Sequence, residues 1–105
     1  MTNRTIITRT EIDEILAAAQ RDSTAALWRK INPNQLARAR GIQTKLRRRA
    51  AFIAVARDAL VAVLIEHFAL KGFRQLTKAI RAGRADTNFD AINLAACAAL
   101  FPKEL

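Results

Sequence analysis

The longest apolar stretch of the chain, RAAFIAVARDALVAVLIEHFAL, covers residues 49–70. In a helical arrangement its apolar side chains point to every side, which is typical of a helix surrounded by protein rather than one with a face in water. The polar residues that interrupt it are Arg57, Asp58, Glu66 and His67. The pattern predicts a central helix that ends near Lys71-Gly72, where glycine can take the left-handed conformation.

Before this segment, apolar residues recur at helical spacing from Glu11 to Arg21. Thr10 is expected to cap this helix, with the Asp13 carboxylate reaching back to the backbone as in a capping box. The predicted buried stripe consists of Ile12, Ile15, Leu16 and Ala19. Residues 4–9, RTIITR, are β-branched and lie outside the stripe, so residues 1–9 are expected to form a flexible or extended arm, or a short strand.

A brief second helix is predicted from the apolar face formed by Leu27, Trp28 and Ile31, with Ser23 or Thr24 as its cap. It should end at Asn32-Pro33, because proline disfavours α geometry in the residue before it. The Trp28 spacing favours a core or dimer-interface position, and stacking on a base is the alternative.

A third helix is expected from Gln35 to Arg40, capped by Asn34 and closed by Gly41. Thr44 is a suitable cap if the central helix begins separately there. The alternative is a central helix that already begins near Gly41 or Gln35.

Two helices are predicted after the central one. Residues 73–82 have two distinct faces. The apolar face carries Phe73, Leu76 and Ile80, and the basic face carries Arg74, Lys78 and Arg81, with Lys71 just upstream. The last helix should cover residues 88–100, opened by a capping box of Thr87 and Asp90 and stopped by Pro102. Its predicted buried residues are Phe89, Ile92, Ala96, Ala99 and Leu100.

These elements predict an all-α fold: a compact single domain over residues 1–105, with four to six helices around the apolar central one. The composition agrees, since 51% of the residues are hydrophobic while the chain contains 3 Gly, 2 Pro and no Tyr. The uncharged apolar runs within residues 49–70 are too short to span a bilayer, and the first residues lack the apolar region of a signal peptide. We therefore expect a cytoplasmic protein that does not insert into a membrane.

Charge changes the picture from fold to function. The net charge is +9, from 18 Lys plus Arg against 9 Asp plus Glu. Residues 23–57 contain nine cations and no acid, and residues 67–85 contain five cations and no acid. A solvated helix face usually mixes both signs, because oppositely charged neighbours stabilise a helix slightly and like charges destabilise it. A polyanion is therefore the expected partner, and a basic surface that only maintains solubility is the alternative.

The first predicted contact region contains Arg38, Arg40, Lys45, Arg47, Arg48 and Arg49. If the central helix begins near Thr44, four of these cations lie in its first turns, where the helix dipole disfavours positive charge and a bound phosphate would reverse the effect. An earlier helix start would remove that penalty.

The second predicted contact region is the row Lys71, Arg74, Lys78 and Arg81. This row is placed like the exposed face of a helix that reads a DNA groove, with Gln75 and Thr77 as possible contacts to base edges. The alternative is an ordinary surface helix, since any such helix can present four cations.

Candidates for catalysis are few. His67 is the sole histidine and Cys97 the sole cysteine, so one chain cannot assemble a Cys/His metal site, and no nucleophile motif is present. Asp58 and Glu66 are expected to pair with arginine, for example Arg21 or a residue near Arg57. No enzyme activity, metal or cofactor is expected.

The sequence thus favours a small, non-enzymatic nucleic-acid-binding protein, a regulator or accessory factor for which DNA is the favoured target and RNA the open variant. A homodimer is plausible, because a domain with this much apolar helix can have a face left over. The alternative from a different class is a protein-interaction module, an inhibitor or adaptor that docks a basic face on an acidic protein.

Overall fold

Helices form wherever the apolar residues recur at helical spacing. The computed structural model describes residues 6–83 and 88–105. Within these ranges there are six α-helices, a short 3-10 turn and no strand, so the predicted all-α class is confirmed. The elements are α1 Arg9–Arg21, α2 Ala26–Arg29, α3 Pro33–Arg40, α4 Lys45–His67, α5 Phe73–Gly83, α6 Phe89–Leu100 and the turn Pro102–Glu104.

Helix α1 begins two residues earlier than predicted, and its N-cap is Thr8 rather than Thr10. The Glu11 amide donates to Thr8 Oγ1 at 3.3 Å and the Thr8 amide donates to Glu11 Oε2 at 3.3 Å, a reciprocal capping box. Ile7, just before the cap, is fully buried. Burial of that side chain selects this register over the one at Thr10.

The predicted arm over residues 1–9 is only partly within the described chain. Residues 1–5 lie outside it, residues 6–8 are not helical and Arg9 already belongs to α1. Ile7 and Ile12, both fully buried, occupy the two positions of a hydrophobic staple around the cap. The end of the predicted arm is therefore attached to the core.

The predicted caps of α2 and α3 are both wrong. The α2 N-cap is Ala25, which forms no side-chain bond. Ahead of it, Asp22 Oδ1 accepts from the Thr24 amide at 2.8 Å and hydroxyl at 2.7 Å.

Helix α3 begins at Pro33 because proline suits the first helical position, where no amide hydrogen is needed. Its cap is Asn32 instead of Asn34: the Asn32 side chain accepts from the Asn34 and Gln35 amides at 2.9 and 3.2 Å.

Helix α4 begins at Lys45, after Thr44, and ends at His67, short of the predicted end near Lys71. Ala69 has a φ of 51° and follows the C-cap, while the Leu70 amide donates to the Ile65 carbonyl at 2.8 Å. This is a Schellman motif. Ala69, not Gly72, is the left-handed residue, because the buried Leu70 fixes where the chain turns back to the core.

The complete enclosure predicted for the central helix is not confirmed. Helix α4 contacts α2, α3, α5 and α6. Its buried residues are Phe52, Val55, Ala56, Ala59, Leu60, Val63 and Leu64. Arg57, Asp58, Glu66 and His67 are exposed, as are most residues of its first two turns. The small alanines on its outer side need no cover, so α4 keeps one face in water.

Helix α5 extends one residue beyond its predicted end, and its buried residues are Leu76, Ala79 and Ile80. Phe73 was expected beside Leu76 and Ile80 in the core, but 55% of it is exposed. A residue in the first turn can share the apolar face and still extend past the neighbouring helices.

Helix α6 is capped by Asn88, whose side chain accepts from the Asp90 and Ala91 amides at 2.8 and 3.4 Å. Thr87, the predicted cap, lies outside the described residues. Four of the predicted buried residues are buried: Ile92, Ala96, Ala99 and Leu100. Phe89 is half-buried, and Asn93 and Cys97 are buried as well.

Aromatic residues close the core at the end of α6. Phe101 makes edge contacts with Trp28 and Phe52, with ring centroids 5.9 and 5.0 Å apart. Trp28 Nε1 donates to the Ala19 carbonyl at 2.7 Å, so its polar atom is satisfied inside the protein. Trp28 thus packs between helices, as its spacing predicted.

The helices form one compact globule with a radius of gyration of 14.0 Å and principal extents of 52 × 26 × 23 Å. In the described ranges, no helix combines the length and apolar character needed to cross a lipid bilayer.

Candidate nucleic-acid interface

The first group of predicted contact residues lies where α3 ends and α4 begins. We call it the α3–α4 cluster, and it consists of Arg38, Arg40, Lys45, Arg47, Arg48 and Arg49. Only residues 41–44 separate the two helices, which pack against each other. All members of the cluster are exposed except Arg48, which is half-buried. The turn therefore brings two short runs of cations to one end of α4.

The dipoles of the two helices act oppositely on this cluster. Arg38 and Arg40 lie in the last turn of α3, where positive charge is favourable. Lys45 and Arg47 lie in the first turn of α4, which contains no acid and whose N-cap, Thr44, forms no side-chain cap bond. Because α3 ends at Arg40, the alternative of an earlier helix start is wrong. No side chain of the first turn or of the N-cap therefore offsets the positive end of α4.

Arg48 is turned toward the protein. Its Nη1 donates to the Ile42 carbonyl at 3.1 Å, and its Nε donates to Glu104 Oε2 at 3.3 Å. These bonds join the α3–α4 turn, α4 and the C-terminal 3-10 turn. Arg48 therefore already has partners within the fold, unlike the flanking Arg47 and Arg49, which form no ion pair in the described ranges.

The second group is the α5 row, Lys71, Arg74, Lys78 and Arg81, all of which are exposed. The row lies opposite the buried Leu76, Ala79 and Ile80. Both candidate base contacts already form local bonds: Gln75 Oε1 accepts from the Lys71 amide at 2.6 Å, and Thr77 Oγ1 donates to the Phe73 carbonyl at 3.0 Å. Lys71, Arg74 and Lys78 of the row form no ion pair with any described residue, whereas the two polar side chains already have local partners.

An open concavity of about 560 Å³ lies at the start of α5. It is lined by Lys71, Gly72, Phe73, Arg74, Gln75 and Lys78. Three of these residues are cations and none is an acid. Sequence reasoning missed Phe73 as a surface residue, since helical periodicity gives the direction of a side chain but not the extent of its neighbours.

Three cations of residues 23–57 find acids that are remote or adjacent in sequence. Lys30, the C-cap residue of α2, pairs with Glu66 of α4, and the hydrogen bond and positive charge of Lys30 lower the pKa of Glu66. Arg57 Nε lies 3.1 Å from Asp58, and Arg48 pairs with Glu104. Asp58 pairs with an arginine, its neighbour Arg57 on the same helix, whereas the expected arginine partner is wrong for Glu66, which pairs with Lys30; Arg21 is the partner of neither.

The remaining contact residues keep their charge uncompensated. Arg48 pairs with Glu104, and Arg81 is set aside because it lies next to residues 84–87, outside the described ranges; the other eight of the predicted ten form no ion pair within residues 6–83 and 88–105. These eight are Arg38, Arg40, Lys45, Arg47, Arg49, Lys71, Arg74 and Lys78. Two patches of unpaired, exposed positive charge are the clearest surface feature of the described chain.

The described residues bring together no group of three or more His, Cys, Asp and Glu side chains able to hold a metal ion. Cys97 is buried in α6, and burial raises the pKa of its thiol. A buried neutral thiol is a poor nucleophile.

Comparison with protein-family models, with curated proteins and with solved structures finds no match to this chain. A functional proposal therefore rests on the surface geometry above.

Proposed function

We propose that this protein binds nucleic acid, and DNA in the first instance, as a cytoplasmic, non-enzymatic regulator or accessory factor. The observation that carries the proposal is the set of eight exposed cations without an ion-pair partner among the described residues. Uncompensated cations repel one another and cost stability, and contact with phosphates removes that cost while releasing counterions.

The positions of the two patches suit an extended polyanion. Helix α4 has 23 residues, so at a rise of about 1.5 Å per residue it is about 34 Å long. The α3–α4 cluster lies at its start, and the α5 row follows its end. One turn of B-form DNA is also about 34 Å long. Helix α4 would then set the distance between two phosphate contacts.

The α3–α4 cluster supplies phosphate contacts rather than sequence recognition. Arginine and lysine next to a helix N-terminus bind phosphate through charge and through free backbone amides. The α5 row would add further phosphate contacts at the other end of α4. With six or more phosphates contacted, binding should fall by about 10³-fold or more between about 50 and 200 mM salt.

A second candidate is a protein-interaction module with an acidic partner. Leu46, between Lys45 and Arg47, is 75% exposed. A phosphate backbone offers no apolar surface to cover such a side chain, whereas a protein interface does. A homodimer would cover some of the exposed apolar residues, which also include Leu94.

The test is a titration of fluorescent DNA duplex, single-stranded DNA and RNA of equal length across that salt range. The variants Arg47→Glu and Arg49→Glu should each weaken DNA binding by about tenfold or more, because each replaces a phosphate contact with a repulsion. Arg21→Glu is the matched control, since Arg21 is exposed and lies outside both patches.

No binding by the wild-type protein at low salt, or an equal loss with Arg21→Glu, would contradict the proposal. Tighter binding to RNA would reassign the ligand. Recovery of one acidic protein in fixed stoichiometry after nuclease treatment would favour the second candidate.

A further inference from the structure

Phe73, the first residue of α5, is 55% exposed. The other large apolar residues that are similarly exposed in the described ranges are aliphatic: Ile6, Leu46, Leu94 and Leu105. An aromatic ring that stays largely exposed lacks much of the free energy that full burial would supply. Its position in a basic concavity suggests a ligand that offers both charge and an aromatic face.

The Phe73 ring is held in place from one side. It makes an edge contact with Phe89, with centroids 5.3 Å apart and an interplanar angle of 72°. Phe89 is itself half-buried and packs against the core. Phe89 thus packs against one side of the Phe73 ring. Fixing the ring in one orientation when a ligand binds should therefore cost little conformational entropy.

Space is available beside the ring. The concavity that Phe73 lines has a volume of about 560 Å³ and is open to solvent. Around Gly72, apart from its chain neighbours Lys71 and Phe73, no described atom lies within 4 Å of the point that a Cβ would occupy. The surface on this side of the ring is therefore open.

The charges around the ring have one sign. Lys71, Arg74 and Lys78 line the same concavity, and none of the three forms an ion pair in the described part of the chain. A polyanion whose phosphates contact these cations would also bring its bases close to Phe73. In a duplex the base faces are already stacked on each other, so only an unpaired strand can offer one.

We propose that Phe73 is a stacking platform for an unpaired nucleobase, so that the concavity at the start of α5 binds single-stranded nucleic acid, with Lys71, Arg74 and Lys78 on the flanking phosphates. This inference rests on the proposed function and changes the ligand of its second patch from the backbone of a duplex to an unpaired strand. Stacking of one base on an aromatic side chain changes affinity by about 5- to 150-fold.

The test uses a fluorescent single-stranded oligothymidylate, a duplex of the same length and an abasic strand with the same number of phosphates, at one low salt concentration. Phe73→Leu keeps an apolar side chain but removes the ring, and Phe73→Trp keeps a ring. Binding of the oligothymidylate should fall about 5- to 150-fold in Phe73→Leu and be retained in Phe73→Trp.

Measuring both proteins with both the abasic strand and the oligothymidylate completes a double-mutant cycle between the Phe73 ring and the bases. Wild-type protein should bind it more weakly than oligothymidylate by about the factor lost in Phe73→Leu, and Phe73→Leu should bind both strands alike. The salt dependence should be the same for both proteins, because the phosphate contacts are unchanged. Thermal unfolding of each variant is the control for folding, and all variants should unfold cooperatively, because the substituted position is half-exposed.

Three outcomes would overturn the inference. In the first, the wild-type protein binds nucleic acid but Phe73→Leu binds oligothymidylate equally well; the proposed function then survives alone. In the second, poly-glutamate matches oligothymidylate in affinity and in its dependence on Phe73, which makes the site a receptor for an acidic polypeptide. In the third, no nucleic acid binds at all, and the proposed function fails as well.

Discussion

Arg47, Arg48 and Arg49 are identical and consecutive, yet they have different surroundings. Successive residues of a helix point about 100° apart, so the three side chains leave the helix in different directions. Arg48 is the one that turns to the protein: its guanidinium donates to Glu104 and to two backbone carbonyls of the α3–α4 turn. At this scale, a count of arginines overstates the number available to a ligand.

Ala69 carries a backbone conformation that L-residues disfavour, with a φ of 51°. Replacing it with glycine should raise the free energy of unfolding by about 1 kcal/mol, because the Cβ clash of the left-handed region disappears. Urea denaturation measures this change. Ala50→Gly is the control, since Ala50 is exposed within α4, and it should lower stability by about 0.5–1 kcal/mol. Equal losses from both substitutions would contradict the prediction.

Asn93 is the buried polar residue of the core, with 6% of it exposed. Among the described residues, its Oδ1 has no hydrogen-bond partner. An unsatisfied buried acceptor costs about 1–3 kcal/mol. Asn93→Leu, which has the same branching without polar atoms, should therefore raise the free energy of unfolding by about 1 kcal/mol, as measured by thermal or urea unfolding.

Asn93→Ala serves as the comparison for Asn93→Leu. It removes the polar atoms but leaves a cavity, so it should gain less stability than the leucine variant or lose some. A leucine variant less stable than the alanine variant would show that the site has no room for the methyl groups.

At the scale of the helix, the N-termini differ in how their free amides are satisfied. Helices α1, α3 and α6 are capped by the side chains of Thr8, Asn32 and Asn88. Helix α4 has no side-chain cap and no acid in its first turn. The three capped helices are stabilised locally, whereas the start of α4 depends on packing and on what the solvent or a ligand supplies.

The capping register of α1 can be tested directly. Thr8→Ala should lower the free energy of unfolding by about 1 kcal/mol, because it removes the side-chain half of the capping box. Thr10→Ala is the matched control: Thr10 is exposed, lies inside the helix and forms no side-chain hydrogen bond in the described chain. Chemical denaturation separates the two. A larger loss at Thr10 would restore the register predicted from the sequence.

At the scale of the whole molecule, the C-terminal residues close the fold over the basic end of α4. Phe101 packs on Trp28 and Phe52, while Glu104 reaches Arg48 over 56 positions of sequence. The same region therefore combines a structural pair and a candidate contact surface.

This arrangement predicts different consequences for neighbouring arginines. Arg48→Ala and Glu104→Ala should each lower the free energy of unfolding by about 1 kcal/mol, and the double variant should lose less than the sum. Arg47→Ala should leave stability within about 0.5 kcal/mol while weakening DNA binding. Unfolding and binding measured on the same preparations test this. Equal destabilisation by Arg47→Ala and Arg48→Ala would contradict it.

Features that depend only on residues close in the chain could be predicted from the amino-acid sequence. The helices between Leu27 and Leu100 follow from apolar periodicity and from the breaks at Pro33, Gly41 and Pro102, and the acid-free segments follow from composition. The helix spacing also predicted correctly that Leu76 and Ile80 are buried. These features need no knowledge of the rest of the chain.

Three features depend on the tertiary structure: the capping register of α1, the cations that remain available to a ligand, and the exposure of Phe73. The burial of Ile7 places the α1 cap at Thr8. The ion pair with Glu104 makes Arg48 less available to a ligand than its neighbours, and the packing around α5 leaves Phe73 exposed. Each outcome depends on a contact between residues far apart in sequence, or on where a neighbouring helix ends. Local patterns contain no information on either, because side-chain direction is set within one turn while burial is set by the other helices.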